Sequence, residues 1–309
     1  MNNNRIKTFL AFASIYILWG STYLALRFGI KTIPPFLLSA IRFFIASVVL
    51  FIYCLIKRKT FPDLKSITTN SICGILMLGG GTVSVAWSEQ YVPSSTAAII
   101  VTFLPFWFVL LDKKQWSYYF SNKIILAGLL LGFIGVLLLA KFSNTDTSGL
   151  NKPGHATFGI VVILAGGIAW TIGSLYSKYT TTNTSLLMNG TIQLFATSIV
   201  CLMISFGAGE IKTFSFQQVS SQSFFALLYL AFMGSIVAYL SYIWLLSVRP
   251  AVEVSTYVYI NPLIAVLLGV FFASEKIVFI EAIALVIILC GVLLVNMPKY
   301  YALKKSGKI

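Results

Sequence analysis

The run IILAGLLLGFIGVLLLA at 124–140 contains no charged or hydrogen-bonding side chain. A segment crossing a hydrocarbon core must satisfy its backbone internally, as a helix or as a strand of a closed barrel. Barrel strands are about ten residues long and alternate polar with apolar positions. This run does neither, so it is read as a transmembrane helix. Similar runs recur on both sides of it, at 8–27, 35–56, 70–89, 94–111, 156–177, 185–207, 223–246, 251–272 and 278–297. Each suits a core of about 30 Å. The fold class expected is therefore an all-α membrane protein with ten transmembrane helices.

Composition agrees with that reading. The chain has 309 residues, is 58% hydrophobic and only 10% charged, and has a mean hydropathy of +0.92. A soluble domain of this length needs much more polar surface. The net charge of +14 does not indicate a nucleic-acid partner, because the basic residues form short clusters between apolar runs. With the amino terminus assigned to the cytoplasm, fifteen lysines and arginines fall in inside segments and six in outside segments, Arg42 lying within a span. That is a positive-inside bias, and with an even helix count it puts both basic termini in the cytoplasm. The first run follows Arg5 and Lys7 as a signal peptide would, yet no small-residue cleavage site follows it, so it is expected to be a retained helix.

The polar stretch FSNTDTSGLNKPGHA (142–156) is the longest connection and the natural seam between two halves. Across it the sequence repeats. Trp87, Pro93 and Pro105 are matched by Trp244, Pro250 and Pro262, each pair 157 residues apart. Gly135–Leu138 and Gly291–Leu294 both read Gly-Val-Leu-Leu, and Trp19 with Arg27 is echoed by Trp170 with Lys178. Five helices per half is an odd number, so the second half enters the membrane from the other side. The expected domains are 1–145 and 154–297, two inverted-topology five-helix repeats, followed by a basic cytoplasmic tail at 298–309. Carriers use such inverted pairs to open one central site alternately to each side.

Chemistry of other kinds finds little to build on. Cys54, Cys73, Cys201 and Cys290 lie inside apolar runs without C-x-x-C spacing, and the one histidine, His155, is in the polar loop. No metal site, cofactor, catalytic triad or phosphate-binding loop is expected, which speaks against an enzyme.

The segments ILWGSTYLALRFGI (17–30), IRFF (41–44), ASEK (273–276) and CGVLLVN (290–296), with the proline-containing fourth and ninth helices, resemble the EamA family of the drug/metabolite transporter superfamily. The likeness covers nearly the whole chain and is nearest to a YedA-like group of bacterial inner-membrane exporters. It implies ten helices, cytoplasmic termini, export of amino acids or other small metabolites, and a central cavity with the fifth and tenth helices peripheral. One departure stands out. Many members carry a Glu after the fourth helix that matches Glu275 after the ninth, whereas here the stretch is WSYY (116–119).

Candidate path residues come from polar and aromatic positions on helical faces. Tyr16, Trp19, Tyr23 and Arg27 share one face of the first helix; Trp170, Ser174 and Ser177 share one on the sixth. Ser235, Tyr239 and Tyr242 do so on the eighth, and Ser255, Tyr259 and Pro262 on the ninth. Faces that mix rings with hydroxyls suit an amphipathic solute, and they equally suit interhelical packing or an interfacial belt. Trp87 joins the candidates through its repeat partner. Arg42 within a span either meets a carboxylate or an anionic solute, or snorkels to the interface. Glu89 and Glu253 fall near span ends and are read as interfacial. Pro105 and Pro262, mid-span in equivalent helices, are candidate hinges. Gly79–Gly81 and the Gly128/Gly132 pair allow close helix contact, within the chain or in a homodimer. The expected function is a multi-pass transporter in the lipid bilayer of a bacterial inner membrane, exporting small organic solutes such as amino acids. The rival is a non-transporting polytopic receptor or assembly component.

Overall fold

A computed structural model describes residues 3–92, 97, 100–142, 156–264 and 279–305, and every regular element in them is helical. The main helices are α1 (Asn3–Gly29), α2 (Pro35–Ile56), α3 (Leu64–Ser88), α4 (Leu104–Leu111) and α5 (Lys123–Phe142). Then follow α6 (Ala156–Tyr179), α7 (Leu186–Gly207), α8 (Ser221–Val248), α9 (257–264) and α10 (Phe279–Lys305). Short helical turns at Trp116–Ser121, Glu210–Thr213 and Ala251–Val254 join them.

Six helices, α1, α2, α3, α6, α7 and α8, are each long and apolar enough to cross a membrane. The pair Lys113–Ser121 and Lys123–Leu138, bent by 91°, makes a seventh if it is one broken span. The third helix begins at Leu64, six residues before the expected span. Asp63 accepts the Ser66 N–H at 3.1 Å, which holds its carboxyl below the usual range and starts the helix ahead of the polar residues Thr68, Thr69 and Asn70. The amino end of α2 is capped from a distance: the Glu210 carboxylate accepts the Phe36 and Leu37 N–H groups at 3.3 and 2.9 Å.

Two helices change pitch midway. α3 is π-helical over Ile75–Val83 and α8 over Leu230–Ala238, stretches of nine residues each. A π turn adds a residue per turn and so rotates everything beyond it about the axis. The fourth and ninth segments are interrupted rather than curved. Turns at Thr102–Phe103 and Ser255–Thr256 break them, Pro105 sits in the first turn of α4, and Pro262 lies inside α9. Pro93 and Glu275 lie outside the described residues.

Helices pack in crosswise pairs: α1 on α8, α6 on α3, α2 on α7, and α5 on α10. The α5–α10 contact is backbone to backbone. A Cβ on Gly291 would stand 2.5 Å from the Gly132 nitrogen, and one on Gly128 would stand 2.8 Å from the Gly291 carbonyl. The Gly128/Gly132 face is therefore occupied within the chain.

Candidate functional site

Helices α1, α3, α4, α6 and α9 surround a chamber of about 720 Å³, counting its open side. Its wall is chiefly apolar and aromatic, with a few polar groups, which is the makeup of a site for small organic molecules. Trp19, Trp107, Trp170 and Tyr257 supply rings; Thr22, Thr82, Tyr23 and Asn261 supply hydrogen-bonding groups.

An aromatic layer forms its floor. Trp19 stands 5.6 Å from Trp170 and 4.7 Å from Tyr257, centroid to centroid. Tyr242 lies against these rings, 5.2 Å from Trp19 and 5.1 Å from Trp170, in the edge-on and tilted geometries that aromatic quadrupoles favour. The layer is tied down by hydrogen bonds. Trp170 Nε1 donates to the Tyr242 hydroxyl at 2.8 Å, Ser174 Oγ lies 2.7 Å from that hydroxyl, and Trp19 Nε1 donates to the Gly234 carbonyl at 3.1 Å. The Gly234 carbonyl belongs to the π-helical stretch of α8, so the changed pitch bears directly on the floor.

Below the floor the character reverses. Buried Asp112 accepts the Tyr119 and Tyr179 hydroxyls at 2.8 and 2.6 Å. Glu253, fully buried, accepts the Tyr118 hydroxyl at 3.0 Å and faces Arg249 at 3.6 Å. Lys178 Nζ donates to the Leu246 and Arg249 carbonyls at 2.6 and 2.5 Å, and the Tyr16 and Thr256 hydroxyls lie 2.8 Å apart. This network stitches residues 112–119 to residues 178–179 and 249–256. Chamber and network are stacked along the same elements. α1 gives Trp19–Leu26 to the chamber and Tyr16 to the network; α6 gives Ile163–Trp170 to the one and Lys178–Tyr179 to the other. The fourth and ninth segments divide in the same way, at 100–107 against Asp112 and at 257–261 against Glu253 and Thr256.

Of the candidates read from sequence, Trp19, Tyr23 and Trp170 line the chamber, while Tyr242 and Ser174 hold its floor from beneath. The others lie elsewhere. Tyr239 donates to Gln193 Oε1 at 2.6 Å, at the head of a buried chain continuing through Asn70 to Asn189 between α3, α7 and α8. Tyr259 donates to the Leu129 carbonyl at 3.2 Å against α5. Trp87 packs tilted against Tyr91 and edge-on to Phe158, and Arg42 is buried with its guanidinium 4.4 Å from the Phe43 ring. Glu89 and Glu253, read as interfacial, are both buried.

Sequence reasoning passed over Trp107, Tyr257 and Asn261. The signal for the last was available: an asparagine beside Pro262 in an apolar run is an intramembrane polar group with a function to explain. The ninth-helix face was drawn through 255, 259 and 262, whereas the turn at Ser255–Thr256 sets 257 and 261 toward the chamber.

Comparison with known proteins gives this architecture a place. The model of the EamA-like transporter family matches residues 6–141 and 157–297. The chain is 35% identical over 298 residues to "Uncharacterized inner membrane transporter YedA" of Escherichia coli (strain K12), covering 96% of this chain and 92% of that one. It is 24% identical over 290 residues to "Uncharacterized transporter YoaV" of Bacillus subtilis (strain 168), covering 93% and 96%. A solved structure described as "Crystal structure of protein" superposes with a TM-score of 0.73 at 18% identity, over 94% of this chain and 96% of that one, and so shares the fold. The E. coli and B. subtilis relatives are both named as transporters, the first as one of the inner membrane. With its apolar helices and a family match that spans both halves, the chain is a multi-pass membrane protein belonging to the EamA-like transporter family.

Proposed function

We propose that this protein is a secondary transporter or facilitator that exports small organic solutes, amino acids among them, by alternating access. The observation that carries the reading is the division of the same helices into an open aromatic chamber and a hydrogen-bonded seal. A carrier needs such a pair of ends, one accessible while the other is closed, and a mechanism for exchanging them.

In this reading the chain has ten transmembrane helices in two inverted five-helix repeats, 1–145 and 154–297, with the tail 298–309. Four things support it. The family model falls on the chain as two segments, 6–141 and 157–297. The helix pairs are reciprocal, since α1 packs on α8 as α6 packs on α3. Nine-residue π stretches sit at Ile75–Val83 and Leu230–Ala238, in the helices that make those two contacts. The basic residues favour cytoplasmic termini, in a bacterial inner membrane as for the E. coli relative. That orientation puts the chamber, near the carboxyl end of α1, toward the outside, and the network with Lys113, Lys114 and Lys178 toward the cytoplasm. The conformation is then outward-open. Pro105 and Pro262, each close to a break in its segment, are the candidate hinges.

Efflux of radiolabelled amino acids from proteoliposomes, with and without imposed pH and potential gradients, is the direct test. Faster efflux than from protein-free liposomes is the expected result. A broad solute panel with no movement above that baseline would remove the transport reading.

A further inference from the structure

One feature of the chamber's outer end has no part in the floor or the seal. Glu89 caps the carboxyl end of α3, one turn beyond the chamber residue Val85 and two beyond Thr82, so by helical spacing it continues their face. It is 8% exposed, and neither carboxyl oxygen has a hydrogen-bond partner among the described residues. Its charged and polar surroundings come from the neighbouring helices. α1 contributes Tyr23 and Arg27, both close enough to interact electrostatically with it. Asn261 of α9 faces the Tyr23 hydroxyl and leaves its own Oδ1, also buried, without a donor. α6 packs on this part of α3, and its stretch 156–170 contains no ionisable residue; Arg42 of α2 is engaged with the Phe43 ring.

Three acceptor atoms, two of Glu89 and one of Asn261, thus stand buried with no donor to them among the described residues. An unpaired buried acceptor costs about 1–3 kcal/mol, and a charged one more. A position of that kind is completed by a ligand that brings several N–H donors and a positive charge. A primary ammonium has three donors and no acceptor. The rings of Trp19, Trp107 and Trp170 lie deeper in the same chamber and offer apolar area and cation-attracting faces to what is attached to it.

We propose that Glu89, with Asn261 and Tyr23, is the recognition site for a primary ammonium group, and that the chamber takes organic solutes carrying such a group on an apolar or aromatic body. The proposal rests on the chamber being the solute path and names the substrate class for it. Both Glu89 oxygens are covered in this state, so a side chain between them and the chamber turns aside when the ammonium enters.

The test compares two probes with one body, phenethylamine and 2-phenylethanol, titrated by calorimetry into the full-length protein in lipid nanodiscs at neutral pH. The wild-type protein is expected to bind the amine at least tenfold more tightly than the alcohol. Glu89→Gln is expected to weaken the amine at least tenfold and leave the alcohol within twofold, while Glu89→Asp, which keeps the charge, retains the preference. Equal binding of the two probes by the wild-type protein, or binding of neither, overturns the proposal. So does a Glu89→Gln protein of unchanged melting temperature that keeps its amine affinity, which would make Glu89 a neutral packing group. Should Glu89→Gln fail to fold, the wild-type preference and a several-fold amine-specific loss in Asn261→Leu decide the matter. Solute flux without amine preference would sink this site and spare transport; amine preference without flux would do the reverse.

Discussion

The two ends of the bundle are built from the same helices with opposite chemistry. At the chamber end, Trp19, Trp107, Trp170 and Tyr257 present rings to open space, and both carboxyl oxygens of Glu89 and Oδ1 of Asn261 have no hydrogen-bond partner among the described residues. At the sealed end, Asp112 and Glu253 are equally buried but take three tyrosine hydroxyls and an arginine between them. Burial alone therefore does not separate a binding region from a closed one. The difference is whether the buried carboxyl groups take hydrogen bonds from within the chain, which at Asp112 and Glu253 ties three segments together.

The largest effect is expected from cutting that network. The double variant Tyr118→Phe/Tyr179→Phe removes two bonds to carboxylates, worth about 1–2 kcal/mol each at half-buried positions. Together that is a shift of roughly thirtyfold or more between conformations, at a factor of ten per 1.4 kcal/mol. In a Cys290→Ser background, labelling of Thr82→Cys by a membrane-impermeant maleimide should slow at least tenfold if, as proposed, the chamber closes when the far end opens. An unchanged labelling rate would show that the network does not hold the seal.

Next comes the floor. Trp19→Ala removes a ring that touches three others and is expected to cut solute flux about tenfold with expression intact, about 1.4 kcal/mol of solute interaction. Wild-type flux kinetics would take Trp19 out of the path. Tyr239→Phe sharpens the contrast from the other side. It leaves the Gln193 Oε1 acceptor buried without its donor and should lower stability by about 1–3 kcal/mol, seen as a lower melting temperature, with flux within twofold. A flux loss beyond the stability loss would return Tyr239 to the path. The smallest change is expected from Trp87→Phe, which keeps an aromatic contact with Tyr91 and Phe158. Flux should stay within twofold and stability within about 1 kcal/mol, and a larger flux defect would extend the chamber to that wall.

Much of this was legible in the sequence where one rule acts alone. The boundaries of α2 and α7 follow from apolar runs ended by Pro35, Lys57, Ser185 and Gly207, and the α1 face through Trp19 and Tyr23 follows from an unbroken 3.6-residue period. The readings that strayed did so where the period itself changes. Extrapolating Ser235–Tyr239–Tyr242 along α8 crosses the π stretch, and Tyr239 turns to Gln193 instead of the chamber. On the ninth segment the turn at Ser255–Thr256 shifts the lining to Tyr257 and Asn261. Glu89 shows a different limit. Closeness to a span end reads as access to water, and tertiary packing of α2 and α6 on this end of α3 goes with its burial.

The glycine contact between α5 and α10 sets a boundary on all such motion. With main chain lying on main chain at Gly132 and Gly291, sliding either helix by one turn would bring Ile287 or Val295 into a slot that has no room for a single methyl group. The pair is keyed at one register, a fixed spine on the flank of the molecule. Under the proposed alternating access, whatever rocks must do so against that spine, leaving it unstretched.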